Sequence, residues 1–163
     1  MYEHLSIPVG PSACAQATTA KEAAYRIDYT LSAARNTRVV ALDEAATEVI
    51  GEAAALEWGE ARFYSASDPG DQLVSLTGED VTLEDAIAES NTVIMVSVSG
   101  ANAAATAHIG KTCYARGIMT AGLAMTPDGL DSEALHHLRP YARVLLVPAE
   151  PDDLVELLRA TRA

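Results

Sequence analysis

Residues 92–102 read TVIMVSVSGAN and decide the fold of the chain. The first seven positions are mostly apolar and β-branched, which is typical of a strand that is buried on both faces of a parallel sheet. Gly100 lets the backbone bend, and the alanine-rich segment 101–116, which ends at Gly117, predicts a helix. We therefore expect a central strand that passes directly into a helix.

The same alternation of short apolar runs and helical segments continues on both sides of this stretch. Further strands are predicted at 38–42, 61–65, 118–125 and 143–147. Helices are predicted at 43–58, 82–89, 131–138 and from Pro151 onward, whereas 72–81 is ambiguous. This alternation generates parallel strands joined by helical crossovers. The sequence thus predicts a three-layer α/β sandwich with a five-stranded, mainly parallel sheet, similar to Rossmann or flavodoxin folds.

A single domain is predicted to span residues 1–163, because this length suffices to bury a core. Residues 1–16 are predicted to be an arm or loop. Residues 18–34 have apolar side chains at helical spacing and predict a helix that leads into the first strand. The N-terminus lacks a basic segment followed by a long apolar stretch, so the protein is expected to be cytoplasmic.

The formal net charge is −12, from 23 acidic and 11 basic residues. This charge repels nucleic-acid backbones and anionic membrane surfaces, so neither is an expected partner. No apolar run approaches the roughly 20 residues that cross a bilayer. Cys14 and Cys113 lack the spacing of a zinc site, and the usual nucleotide, metalloprotease and hydrolase motifs are missing. No metal and no cofactor is therefore predicted.

The junction between the central strand and its helix suits a small anion. Ser97 and Ser99 point to the same side of the strand, because side chains alternate along it. The helix that follows presents unpaired N–H groups and the positive end of its dipole. Crevices beyond the carboxyl ends of parallel strands are also common ligand sites. The alternative is that Ser99 caps the helix and Ser97 bonds locally, with no ligand present.

This junction and the segment after it resemble the second half of a sugar isomerase (SIS) domain, as found in phosphoheptose isomerases. The similar features are the serine-rich turn 97–102, SVSGAN, the helix after it, and the strand 117–123, GIMTAGL. The last strand, 144–149, and the helix from Pro151 also have counterparts in that family. The resemblance implies a sugar phosphate as ligand and a homo-oligomer, most simply a homodimer.

The resemblance also implies roles for individual residues. The implied phosphate-binding residues are Ser97, Ser99, Gly100, Asn102 and Thr106. Isomerase members of the family use a carboxylate on the helix after the first strand as a base. Glu57 lies near the matching place, and Glu52 is the alternative. On sequence grounds alone, a solvated acidic helix face is the commoner explanation for both glutamates.

The sequence departs from the family at the end of the first strand. Residues 42–47, LDEAAT, stand where active members have a glycine-rich turn. Asp43 and Glu44 would therefore put negative charge near an incoming phosphate. The final helix contains no histidine, although some isomerases have their second acid or base there. Lys111 is interpreted as a solvated charge.

Three functions remain open on these grounds. The first is an SIS-like domain that binds a phosphosugar or another small anion, as an isomerase or as a ligand sensor. The second is a non-catalytic member that keeps the fold for assembly or for binding a protein partner, which the missing glycine turn and the acidity favour. The third is a flavodoxin-like binder of a nucleotide or flavin, because those folds share the same alternation of elements.

Overall fold

The structure, a computed structural model, describes residues 34–126 and 132–163. These residues belong to one unit of the chain, which extends from Ala33 to Ala163. The strands are β1 (Thr37–Ala41), β2 (Ala61–Ala66), β3 (Gln72–Ser75), β4 (Asp80–Thr82), β5 (Thr92–Ser97), β6 (Met119–Ala124) and β7 (Val144–Leu146). The helices are α1 (Glu44–Ala54), α2 (Leu83–Ile87), α3 (Ala103–Ala115), α4 (Glu133–Leu138) and α5 (Pro151–Thr161). The predicted arm 1–16 and nearly all of the predicted helix 18–34 lie outside the described residues.

The strands form one sheet with the order β4-β3-β2-β1-β5-β6-β7. From β2 to β7 every neighbouring pair is parallel, whereas β3 and β4 are antiparallel additions beside β2. The prediction of an α/β fold with a mainly parallel sheet is confirmed, and the five predicted strands are the five parallel ones. The prediction of five strands in total is wrong, since the described sheet has seven.

The two additional strands form a hairpin over 72–82, which covers the stretch 72–81 that the sequence left ambiguous and adds Thr82. Its turn is closed by a bond from the Gly78 amide to the Ser75 carbonyl at 2.9 Å, and Gly78 has φ of 90°, which glycine adopts without strain. Leu73 is fully buried and pairs with Val81. Strands of three or four residues with so few apolar side chains give almost no period-two pattern, which is why the sequence did not predict them.

Helices cover both faces of the sheet. On one face lie α1 and α5, whose buried side chains include Ile50, Leu154 and Leu158. On the other face lie α2, α3 and α4, whose buried side chains include Ile87, Ile109 and Leu138. Every residue of β1 and β5 is buried, so the prediction that 92–98 contains a central strand is confirmed. No helix in the described part of the chain has the length and apolar character that spanning a membrane requires.

Side-chain caps fix where several of the described helices begin. Thr82 and Ser132 each accept a hydrogen bond from the backbone amide three residues later. The first helix is shorter than predicted, because it ends at Ala54 instead of Trp58. The indole Nε1 of Trp58 folds back and donates to the carbonyl of Ala53 at 2.8 Å, which satisfies one of the free acceptors at the helix end.

Candidate functional site

The carboxyl ends of β1 and β5 lie side by side, and the chain leaves them toward opposite faces of the sheet. β1 continues into α1 on one face, and β5 continues into α3 on the other. The five parallel strands thus have the doubly wound order in which ligands bind at such a switch point. Asp43, which follows β1, and the turn 97–102, which follows β5, meet there. This is the candidate site.

The carboxylate of Asp43 occupies the turn. Its Oδ2 accepts hydrogen bonds from the Ser97 hydroxyl at 2.9 Å, the Val98 amide at 2.8 Å and the Ser99 amide at 3.1 Å. Its Oδ1 accepts from the Ala46 amide at 2.9 Å and so caps α1. Asp43 is only 6% exposed. Of the two acidic residues that the sequence predicts near an incoming phosphate, Asp43 lies at the serine turn, whereas Glu44 is exposed.

The remaining polar groups of the turn are also bonded within the chain. Ser97 accepts a hydrogen bond from the Gly100 amide at 3.2 Å, and the exposed Ser99 accepts one from the Ala101 amide at 3.3 Å. The local bond predicted for Ser97 is therefore present, whereas the prediction that Ser99 caps the helix is wrong, because α3 begins after Asn102 and has no side-chain cap. Four consecutive amides, from Val98 to Ala101, thus donate to side chains of the protein itself.

Gly100 is held tightly by the helix that precedes the last strand. Its φ is 78°, in the left-handed region, and an added Cβ would lie 2.6 Å from the backbone nitrogen of Ala134 at the start of α4. A residue with a side chain would have to push α4 away. The glycine therefore serves close packing between the turn and α4, as well as the bend that the sequence predicts.

The side chains of Asn102 and Thr106 are hydrogen-bonded to backbone carbonyls of the protein. Asn102 has φ of 60°, and its Nδ2 donates to the carbonyls of Leu42 and Ala66, at the carboxyl ends of β1 and β2. Thr106 is 1% exposed, and its hydroxyl donates to the carbonyl of Asn102 at 3.1 Å. Asn102 therefore joins the backbone segments that surround the switch point, whereas Thr106 is bonded only to the first turn of its own helix.

A second carboxylate, which the sequence did not single out, lies against the start of α3. Oδ1 of Asp68 accepts a hydrogen bond from the Ala105 amide at 2.8 Å. The loop that carries Asp68 packs closely there, since a Cβ on Gly70 would lie 2.7 Å from the Cα of Ala105. The residues 67–71, SDPGD, predict a turn, but only the fold places that turn at the helix.

The structure does not bring the predicted bases near the turn. Glu52 is exposed in the last turns of α1, about 13 Å along the helix from Asp43 at 1.5 Å per residue. Glu57 is exposed beyond the end of α1, still farther from the carboxyl ends of the strands. Their role in catalysis stays a prediction, and within one chain neither is adjacent to Ser99.

Other reactive groups of the described residues do not form a second centre. Within 34–126 and 132–163, no group of three or more His, Cys, Asp or Glu side chains could hold a metal ion. Cys113 is a buried residue of α3, as predicted, and burial raises the pKa of its thiol to about 11.

The buried Arg38 side chain donates to backbone carbonyls. Its Nε donates to the carbonyl of Ala86 at 2.7 Å. Desolvation is the main cause that lowers its pKa.

Comparison of the chain with protein-family models, with curated proteins and with solved structures gives no match. The resemblance to SIS domains therefore stays a prediction that is based on the residues 93–126 and on the order of the elements.

Proposed function

We propose that this chain is a non-catalytic α/β domain that keeps the architecture of a ligand-binding domain for assembly or for interaction with a protein partner. The observation that carries this proposal is the position of the Asp43 carboxylate. It accepts hydrogen bonds from the Ser97 hydroxyl and the Val98 and Ser99 amides, the donors that a bound phosphate would need. The buried donors of the turn are thereby satisfied without a ligand.

Electrostatics adds to this argument. A unit negative charge brought to about 4 Å from the ionised Asp43 carboxylate would be opposed by about 4 kcal/mol at an effective dielectric constant near 20. That corresponds to a loss of roughly a thousandfold in affinity. A sugar phosphate could therefore use the amides of the turn only after Asp43 had left them.

The placement of the two glutamates supports the non-catalytic part of the proposal. A base must lie within hydrogen-bonding reach of the proton that it removes. Glu52 is exposed near the end of α1 and Glu57 beyond it, so a sugar phosphate seated at Ser99 would have neither of them beside it in the same chain.

The test is a titration of the wild-type protein and the variant Asp43→Ala with inorganic phosphate and with hexose and heptose phosphates. We expect no binding to the wild type, whereas removal of the Asp43 carboxylate frees the two turn amides of Val98 and Ser99 and lets phosphate bind. Glu44→Ala, which removes the exposed neighbouring carboxylate, is the matched control and should behave like the wild type. Millimolar or tighter binding of a sugar phosphate to the wild type, with shifts of the Val98 and Ser99 amide resonances, would contradict the proposal.

The assembly part is tested by size-exclusion chromatography with light scattering, together with pull-downs. A stable homodimer or a defined protein partner is the expected result. A protein that stays monomeric and retains no partner would count against a role in assembly.

The competing candidate is a phosphosugar sensor or isomerase that uses the same turn. The observation in its favour is that the exposed Ser99 lies at the switch point, where doubly wound folds bind ligands. This function requires Asp43 to move away from its donors when the ligand arrives. The titration of the wild type separates the two candidates, because only the sensor or isomerase predicts saturable binding of a sugar phosphate.

A further inference from the structure

A groove lies at the opposite end of the sheet from Asp43, between α3 and the connection from α4 to β7. Its volume is about 400 Å³. The last turns of α3 contribute Gly110, Lys111 and Tyr114, the connection contributes residues 140–143, and Ile118 forms part of the wall. Pockets of 300–1,000 Å³ are typical of small-molecule sites. The groove is large enough for a ligand of one ring and a short side chain.

The groove is basic in a strongly acidic chain. The segment 111–143 contains four of the 11 basic residues but only three of the 23 acidic ones. Lys111 and Arg143 both line the groove, and none of its described lining residues is acidic. The two ion pairs among the described residues are formed by Arg116 and Arg159. Lys111 and Arg143 are therefore exposed cations that no described carboxylate neutralises.

The walls supply aromatic surface. Tyr114 is 79% exposed, against 40–46% for the other exposed large apolar side chains of the described residues. Tyr141 lines the groove as well and is half-buried. Exposed tyrosine and arginine side chains are enriched where proteins bind partners and ligands, because the ring offers a large apolar area at a low cost in side-chain entropy.

The groove is held in shape by contacts on its own walls. The Thr120 hydroxyl donates to the carbonyl of Tyr141 at 2.6 Å, which fastens the connection to β6. The amides of Tyr141 and Ala142 both donate to the carbonyl of Leu138 at 3.0 Å. Gly110 admits Tyr141 against α3, since a Cβ there would lie 2.3 Å from the Cβ of Tyr141. The connection that forms one wall is thus fixed before a ligand binds, and only the exposed side chains of Lys111, Tyr114 and Arg143 have to be ordered by it.

We propose that this groove binds a small aromatic carboxylate. The ring of the ligand packs against the tyrosines, and its carboxylate pairs with Lys111 and Arg143. Charge selects the carboxylate over a neutral or cationic molecule, and the single-ring size follows from the volume. This site is separate from the switch point and does not depend on the function proposed for Asp43.

The test is a titration of the ¹⁵N-labelled protein with 3-phenylpropionate and with its neutral amide, 3-phenylpropionamide. We expect the carboxylate to shift the amide resonances of Gly110, Thr120 and Ala142 and to bind roughly tenfold more tightly than the amide, since two exposed ion pairs contribute this much together. The double variant Lys111→Gln, Arg143→Gln should remove the preference for the carboxylate. Both residues are exposed, so the fold should persist.

Arg62→Gln is the matched control, because Arg62 is an exposed arginine on β2, outside the groove. It should leave the tenfold preference unchanged. Three results would overturn the proposal: no localised shifts at millimolar ligand, equal binding of the acid and the amide, or an equal effect of the control variant. A dimer in light scattering that the double variant converts to a monomer, with no shift on ligand addition, would overturn it too.

Discussion

Cys113 has no solvent exposure, and burial raises the pKa of its thiol to about 11 from an ordinary value near 9. Desolvation is the larger cause, and the positive charge of Arg116 lowers the pKa by less. The folded state thus favours the neutral thiol. This contribution to stability is complete below pH 9, where the thiol is protonated in both states, and is lost as the pH rises toward 11, because the unfolded chain ionises first.

The pH dependence of unfolding should therefore reveal Cys113. Between about pH 8 and pH 10.5, the wild type should lose about 2 kcal/mol more unfolding free energy than Cys113→Ala, at about 1.4 kcal/mol per pKa unit. Urea denaturation of both proteins at each pH measures the difference, and the tyrosines and Cys14 cancel because both proteins contain them. Parallel stability curves for the two proteins would show that the thiol is not desolvated in the folded state.

At the scale of elements, the junction of β5 and α3 depends on a glycine that close packing requires. Gly100 and Gly78 have similar positive φ values, 78° and 90°, but a Cβ at Gly100 would collide with α4, whereas one at Gly78 would meet nothing within 4 Å. The pair therefore separates backbone strain from steric conflict. Strain alone costs about 1–2 kcal/mol in the left-handed region.

Gly100→Ala should destabilise the fold by about 3–4 kcal/mol, and Gly78→Ala by about 1 kcal/mol, because only the first adds a clash to the strain. Urea denaturation at neutral pH measures both values. If the two variants lost equal stability, α4 would have to be free to move away from the turn.

The sequence predicts the helices and strands well where a hydrophobic run or a nearby capping residue defines them, and poorly where they depend on residues distant in the chain. The strands β1, β5 and β6 are mostly apolar and buried, and the caps Thr82 and Ser132 act on amides three residues away. The hairpin was missed because its strands are too short for a pattern. The partners of Asp43 lie 54 to 56 residues away, so they follow only from the adjacency of β1 and β5, which the sequence leaves open.

At the scale of the whole molecule, charge repulsion opposes folding. The net charge is −12, and the described residues contain only two ion pairs, both partly exposed. Such pairs contribute little to stability. Glu48 and Glu52 are exposed four residues apart on α1, a spacing at which like charges destabilise a helix by roughly 0.2–0.5 kcal/mol.

Salt should consequently stabilise the protein. Raising NaCl from about 0.02 M to about 0.5 M shortens the range of charge interactions to a few ångströms, so the melting temperature should rise. Glu48→Gln should melt higher than the wild type at low salt and respond less to added NaCl. Thermal melts followed by circular dichroism measure both effects. A melting temperature that falls with salt would mean that attractive pairs outweigh repulsion.

The hairpin β3–β4 determines how one side of the sheet ends. Among the described strands, the outermost on this side is β4, which has three residues and begins with the exposed Asp80, directly after the exposed Glu79. A short, charged edge strand is a poor template for an incoming strand from another molecule. The apolar parallel strands would favour fibrils if they formed an open edge. On this side they are separated from solvent by β4 and the acidic residues Glu79 and Asp80, which discourages aggregation of the folded protein.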